Sequence, residues 1–197
     1  MHIRQFVMAY GVEQDRLRAL LPERYRSLRP VLRINAELRQ DRPAYLELNT
    51  AVEHGGVRGW LNIARWDDVP VETSGKTVTF TAPILEISFT GTGIAGGCPA
   101  ERDNDGCFFP EGLRPAEPIA SPKEFCDCRF AFRTPGGARG VSIGKTLPAI
   151  PEEPRTAYPR LSLTAENAAA IPCRQVLGAY TVAFEGSRPA FCVRVVE

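Results

Sequence analysis

Residues 31–51 read VLRINAELRQDRPAYLELNTA, and this stretch decides the fold. Apolar and polar side chains alternate over residues 31–38 and again over residues 45–51, which is the pattern of a β-strand with one apolar and one polar side. Residues 60–66, WLNIARW, repeat the alternation. Three neighbouring strands of this kind predict an antiparallel sheet.

The rest of the chain adds more strands and only two short helices. Helical spacing of apolar residues, early acidic residues and the stop at Pro22 predict a helix within residues 12–22. Thr164 is a suitable N-cap for a second helix over residues 164–170. Further strands are predicted at residues 3–10, 77–80, 84–89, 125–133, 175–185 and 189–196. This density of strands predicts a mainly β (α+β) protein, an antiparallel closed or cone-like β-barrel with two short helices.

Length and composition favour one cytoplasmic domain over residues 1–197. The chain is 44% hydrophobic and 24% charged, which is enough apolar material for one core. A net charge of +1 gives no general attraction to nucleic acid or to a membrane surface. We see no bilayer-spanning apolar run and no signal peptide, so most of the six cysteines are expected to be reduced. Residues 91–123 are predicted to be a long loop excursion that could cover a partner or close a homo-oligomer.

The polar sides of the three strands form the candidate binding site, here called the polar face. Its members are Arg33, Asn35, Glu37, Glu47, Asn49 and Asn62. On an open sheet such a face is solvated, and this is the expectation that base rates favour. If the face instead lines a cavity, a guanidinium and two carboxylates suit a small polar or anionic ligand.

Two motifs that suggest other chemistry fail on spacing. Residues 140–146, GVSIGKT, lack the glycine that a phosphate-binding loop needs at position 139, and Pro148 prevents the helix that must follow. The cysteines 98, 107, 126 and 128 lack the short intervals of a structural zinc site. We therefore expect no nucleotide, no metal and no cofactor.

The remaining cysteines and histidines give weak signals. Cys126 and Cys128 fall on one side of a predicted strand and are interpreted as small core residues. Cys98 and Cys107 flank a tight turn and could form a redox pair. His2 is expected at a mobile terminus and His54 in a turn, so neither supports a catalytic triad.

The N-terminal third resembles the acetoacetate decarboxylase superfamily. The resemblance rests on the strand FVMAY at residues 6–10, the helix DRLRALLPE at residues 15–23, the strand PVLR at residues 30–33 and the hairpin GVRGWL at residues 56–61. It covers residues 3–66 and implies a cone or barrel with an internal pocket. In the active enzymes of that family, the resemblance implies a Schiff-base lysine whose pKa is lowered by a neighbouring lysine.

The family's Pro-Lys-Lys segment has no counterpart in this sequence, which contains no lysine pair. Lys76 is predicted to be an exposed hairpin residue, and Lys123 is predicted to lie in a proline-rich loop. Lys145 is the least unsuitable of the three lysines for forming a Schiff base. No catalytic residue is assigned; if the protein is an enzyme, a lyase-like reaction on a small polar or keto-acid ligand is expected. The alternative is a non-enzymatic structural or interaction module, for which Arg33, Glu37 and Glu47 should be solvated.

Overall fold

A computed structural model describes residues 1–95, 121–134, 137–142 and 158–185. Its two helices are α1 (Gln14–Leu20) and α2 (Ala165–Ala169). Its strands are β1 (His2–Gly11), β2 (Arg26–Ser27), β3 (Val31–Arg39), β4 (Arg42–His54), β5 (Val57–Asp67), β6 (Val71–Ser74), β7 (Thr77–Thr81), β8 (Leu85–Ala95), β9 (Lys123–Thr134), β10 (Gly137–Ser142) and β11 (Gln175–Glu185).

All these strands belong to one antiparallel sheet. The order is β2-β4-β3-β1-β11-β9-β8-β7-β6, with β5 paired to β4 and β10 paired to β9. No strand pairing in the described part of the chain joins the two ends of this path. The mainly antiparallel β fold with two short helices is therefore confirmed, whereas a closed barrel is not.

Aromatic contacts show which way the sheet curls. The Phe6 ring on β1 lies 5.2 Å from the Phe80 ring on β7 and 5.3 Å from the Phe89 ring on β8. Three strands separate β1 from β7, and a flat sheet would place them about 19 Å apart at 4.8 Å per strand. The sheet therefore bends until its apolar side encloses the main core.

The main core fills the concave side of this curl. It contains Phe6, Met8, Leu32, Ile34, Leu46 and Leu48, all with at most 1% of their surface exposed. These residues alternate along β1, β3 and β4 as the sequence pattern predicts. A second, smaller cluster of Val7, Ala9, Val31, Tyr180 and Val182 lies on the opposite side of the same strands. Both sides of the central strands are thus buried.

Several boundaries differ from the sequence-based prediction. Strand β8 continues through residues 91–95, and Lys123 is the first residue of β9, so both ends of the predicted loop excursion are strand. Short β2, β6 and β10 were not predicted, because two- to six-residue strands carry too little periodicity to recognise. Residues 140–142 of the rejected phosphate-loop segment lie in β10, and residues 143–146 lie outside the described residues. The predicted strand at 189–196 and the centre of the excursion lie outside the described residues.

Both helices pack against the main core, through Leu17 and Leu20 of α1 and Ala168 and Ala169 of α2. Thr164 Oγ1 accepts a hydrogen bond from the Asn167 backbone nitrogen at 3.2 Å, which confirms the predicted cap of α2. Arg160 donates to the carbonyl oxygens of Arg18 and Leu21 at the C-terminal end of α1. None of the helices that the structure describes is long and apolar enough to cross a membrane.

Candidate functional site

The pairing register brings the predicted polar residues onto one side of β3, β4 and β5. Arg33 pairs with Asn49, and Asn35 pairs with Glu47. Asn49 in turn pairs with Asn62 of β5. Because paired residues point to the same side of a sheet, these side chains form one continuous polar face on the convex side.

The polar face is buried, so the expectation that it is solvated is wrong. Arg33, Asn35, Glu37, Glu47 and Asn49 are at most 8% exposed, and Asn62 is half-buried. The polar alternation alone could not reveal this, because the sequence pattern does not show what covers the second side of a sheet. The hypothesis of a non-enzymatic interaction module required a solvated polar face, so the burial of this face does not support that hypothesis.

Glu47 is the centre of a hydrogen-bond network. Its Oε1 accepts from Asn35 Nδ2 at 3.0 Å, and its Oε2 accepts from Asn62 Nδ2 at 3.2 Å. Asn62 Nδ2 also donates to Asn49 Oδ1 at 3.0 Å. Burying a carboxylate is costly unless it is hydrogen-bonded, and the amides of Asn35 on β3 and Asn62 on β5 supply those bonds.

Arg33 and Trp60 form the second part of the site. The Arg33 guanidinium carbon lies 4.8 Å from the centre of the Trp60 ring, a cation–π contact in a nearly water-free position. Within the described part of the chain, the buried Trp60 Nε1 has no hydrogen-bond acceptor, and the buried Asn35 Oδ1 has no donor. Two unsatisfied polar atoms in one buried cluster are unusual and require an explanation.

Glu37 occupies a separate ion pair at the end of the polar face. Its carboxylate accepts from Gln5 Nε2 at 3.2 Å and from Arg39 Nε at 2.8 Å. The Tyr45 ring lies between the guanidiniums of Arg39 at 4.5 Å and Arg65 at 4.3 Å. Burial, and then the negative charges of the nearby Glu47 and Glu37, raise the pKa of the Tyr45 hydroxyl well above its usual value. Tyr45 is therefore a neutral donor, and it hydrogen-bonds to Glu37.

Arg65 and Asp67 mark the exposed rim of this part of the site. Arg65 donates two hydrogen bonds to Asp67 Oδ1, at 2.9 and 2.8 Å. The bond to Asp67 raises the pKa of the Arg65 guanidinium. Asp67 is largely exposed, so this ion pair lies where the site meets solvent.

The site contains residues that the sequence-based prediction omitted. Arg39, Tyr45 and Trp60 continue the two-residue steps of the predicted set, so the alternation itself could have identified them. Arg65 could not be found in this way. The pairing of β4 with β5 shifts by one residue between Leu48 and Asn49. Glu47 therefore pairs with Arg65, whereas strict alternation from Asn62 would place residue 64 on the polar face.

The lysines differ in their position relative to the site. Lys76 is exposed in the turn between β6 and β7, as predicted. Lys123 is not in a loop, because it is the first residue of β9 and pairs with Val182 of β11. Val182 pairs with Gln5 of β1, and Gln5 pairs with Glu37 of β3. Lys123 is therefore half-buried on the same side of the sheet as the polar face. Lys145 lies outside the described residues.

Among the described residues, the cysteines and histidines form no second site. Cys126 and Cys128 are buried in β9, as predicted for small core residues, while Cys98 and Cys107 lie outside the described residues. His2 is not at a mobile end, because it is the first residue of β1 and its Nδ1 lies 3.1 Å from Glu185 Oε1. His54 Nδ1 donates to the Arg24 carbonyl oxygen at 2.8 Å. Among the described residues, no group of His, Cys, Asp or Glu side chains could hold a metal ion.

A recess of about 440 Å³ lies where the start of β1 meets the end of β3, away from the centre of the polar face. Its walls are formed by His2, Arg4, Leu38, Arg39 and Gln40. Arg39 belongs to both the recess and the Glu37 ion pair, so the recess borders the site at that point.

Comparisons with known proteins give structural matches only. No family model and no curated protein matches the sequence. The structure of acetoacetate decarboxylase from Legionella pneumophila subsp. pneumophila str. Philadelphia 1 is 12% identical with a TM-score of 0.49, and the match covers 93% of this chain and 81% of that chain. An acetoacetate decarboxylase-like enzyme from Sphingomonas wittichii RW1 is 14% identical with a TM-score of 0.43, covering 92% and 87% of the two chains.

A third match is the enduracididine biosynthesis enzyme MppR with HEPES buffer bound. It is 12% identical with a TM-score of 0.44, covering 92% of this chain and 82% of that chain. The resemblance noted for residues 3–66 is thus also found among solved structures over most of the chain.

Proposed function

We propose that the protein binds a small polar or anionic molecule, such as a short-chain carboxylate, at the polar face. The observation that carries this proposal is the burial of Arg33, Glu37 and Glu47 on one face of the sheet, where Trp60 Nε1 and Asn35 Oδ1 are unsatisfied among the described residues. A purely structural network is expected to satisfy every buried donor and acceptor. In a network that binds a ligand, some buried donors and acceptors have no protein partner because they form hydrogen bonds with the ligand.

Arg33 is the proposed anion-binding group. A guanidinium presents a planar set of donors that matches a carboxylate, and it keeps its charge at all ordinary pH values. Its stacking on Trp60 fixes the side chain in one orientation, which lowers the entropy lost when a ligand binds. Glu47 and its amide partners lie beside Arg33 on the same face of the sheet and hold that part of the site in place.

No catalytic residue is assigned, and binding alone is proposed. The Schiff-base chemistry expected of acetoacetate decarboxylase-like enzymes requires a lysine of lowered pKa, usually obtained by burial or a neighbouring cation. No second lysine lies beside Lys123 in the sequence, so the neighbouring lysine that this chemistry uses is missing there.

Calorimetric titration with butyrate and with phosphate tests the proposal. Arg33→Lys should weaken butyrate binding about tenfold or more, because a hydrogen bond to a charged group contributes on the order of 1.5–3 kcal/mol. Arg58→Lys is the matched control, since Arg58 lies on β5 but is 57% exposed and pairs only loosely with Glu53 at 3.6 Å. Absence of binding by the wild-type protein, or equal effects of the two substitutions, would refute the proposed function.

A further inference from the structure

The unsatisfied atoms of the polar face indicate which kind of carboxylate it takes. Asn35 Nδ2 is committed to Glu47 Oε1 at 3.0 Å, and this contact also fixes which end of the amide is the oxygen. Asn35 Oδ1 therefore points away from Glu47. It is a buried acceptor with no donor in the described part of the chain, on a side chain only 8% exposed.

Trp60 Nε1 is the complementary atom. It is a buried N–H donor without an acceptor among the described residues, and it belongs to the ring on which the Arg33 guanidinium lies. An indole N–H can only donate, so the group it faces must be an acceptor. The indole and the guanidinium together form a donor-rich end of the polar face.

The two ends are separated along the strands. Arg33, Asn49 and Asn62 lie in one row across the three strands. Asn35 lies one two-residue step to one side of this row, and Trp60 lies one such step to the other side. Each step is about 6.6 Å. The donor-rich and acceptor ends are thus too far apart for a single atom of a ligand to reach both.

We propose that the ligand carries a carboxylate at one end and a hydrogen-bond donor, a hydroxyl or an ammonium group, at the other, with the two groups one to two strand steps apart, about 7–13 Å. The carboxylate binds at the Arg33–Trp60 end, and the donor bonds to Asn35 Oδ1. This inference rests on the proposed function and narrows it from carboxylates in general to ω-hydroxy or ω-amino carboxylates.

Wild-type protein titrated with matched probes tests the inference without any substitution. Butyrate is compared with 4-hydroxybutyrate and 4-aminobutyrate, and hexanoate with 6-hydroxyhexanoate and 6-aminohexanoate. At least one donor-bearing probe should bind about three- to tenfold more tightly than its parent carboxylate, as one additional hydrogen bond to a buried acceptor predicts. A gain in the hydroxy series identifies a neutral donor, and a gain confined to the amino series identifies a cation.

Two substitutions separate the ends of the ligand. Asn35→Leu removes the acceptor and should abolish the preference for the donor-bearing probe while the parent carboxylate still binds. Trp60→Phe keeps the ring under Arg33 but removes the N–H, and should weaken both probes by the same factor of about three to ten. Trp66→Phe is the matched control, because Trp66 packs against the main core on the opposite side of the sheet. Thermal melts establish that each variant is folded.

The possible failures are distinct. Equal binding of parent and donor-bearing probes by wild-type protein, or a preference that survives Asn35→Leu, overturns the inference but leaves the proposed function standing. Failure of every probe to bind the wild-type protein refutes both.

Discussion

Asn35 and Glu47 face each other across β3 and β4, with the Asn35 amide nitrogen 3.0 Å from the Glu47 carboxylate oxygen, and both side chains are buried. The contact joins an amide to a carboxylate in the interior, where each group alone would be costly to bury. Asn62 provides the other bond to Glu47, so the carboxylate is held between two strands. The geometry of the polar face depends on this arrangement.

Glu47→Gln should destabilise the protein by about 1–3 kcal/mol, since the new amide places a donor against the donors of Asn35 or Asn62. Glu72→Gln is the control, because Glu72 is exposed on β6, and it should change the free energy of unfolding by no more than about 0.5 kcal/mol. Urea unfolding at neutral pH measures both values. Equal stabilities of the two variants would show that Glu47 is not held as described.

Cys173 should alkylate slowly at neutral pH, because burial raises the pKa of its thiol to about 11. Its folded pKa lies above the unfolded value of roughly 8.5. The neutral thiol therefore contributes stability below the unfolded value, and this contribution is lost as the pH rises towards the folded pKa. Peptide mapping after iodoacetamide treatment should show Cys173 labelling increase steeply between pH 9 and 11. A labelling rate equal to that of free cysteine at pH 8 would contradict the assignment.

Gly91→Ala tests the close approach of β8 to Glu124. An added Cβ would lie 2.7 Å from Glu124 Oε1, the same atom that accepts a hydrogen bond from the Gly93 backbone nitrogen at 2.8 Å. The substitution should displace the carboxylate and cost about 0.5–1.5 kcal/mol. With Glu124→Ala, the double variant should lose less than the sum of the single losses, because both remove the same bond. Gly11→Ala is the control, since its nearest contact is an ordinary 3.6 Å.

Borohydride reduction with acetoacetate should trap no covalent adduct on the folded protein. Lys76 is exposed, and Lys123 is followed by Glu124 with no second lysine beside it. Mass spectrometry of the intact protein measures the labelling. Stoichiometric labelling of Lys123 that disappears in Lys123→Arg would contradict the expectation and establish Schiff-base chemistry on the polar side of the sheet.

Local alternation predicted most of the central sheet, because side chains in a strand must alternate and the polar and apolar sets of β3 and β4 are unambiguous. It also placed all six polar residues on one face. Burial of that face could not be predicted, since a residue such as Asn35 looks the same in sequence whether its side of the sheet meets water or protein. The register shift at Asn49 was equally hidden, and it moves Arg65 onto the polar face.

The position of Lys123 was missed for a different reason. Pro122 precedes it, and a proline-rich flank is typical of a loop. The partner that makes Lys123 part of a strand, Val182, lies far away in sequence, and long-range pairing leaves no local signal.

The most direct test of the central claim, that the polar face binds a small carboxylate, uses the two tryptophans as reporters. Trp66→Phe leaves Trp60, whose ring lies against Arg33, as the only emitting indole. Titration of this variant with butyrate should change the Trp60 fluorescence in a saturable way, with the midpoint shifted to higher concentration by Arg33→Lys. Trp60→Phe, which reports from Trp66 on the main core, should show no change. If the Trp60 fluorescence does not change on titration, or if Trp60 and Trp66 show the same change, ligand binding at the polar face is contradicted.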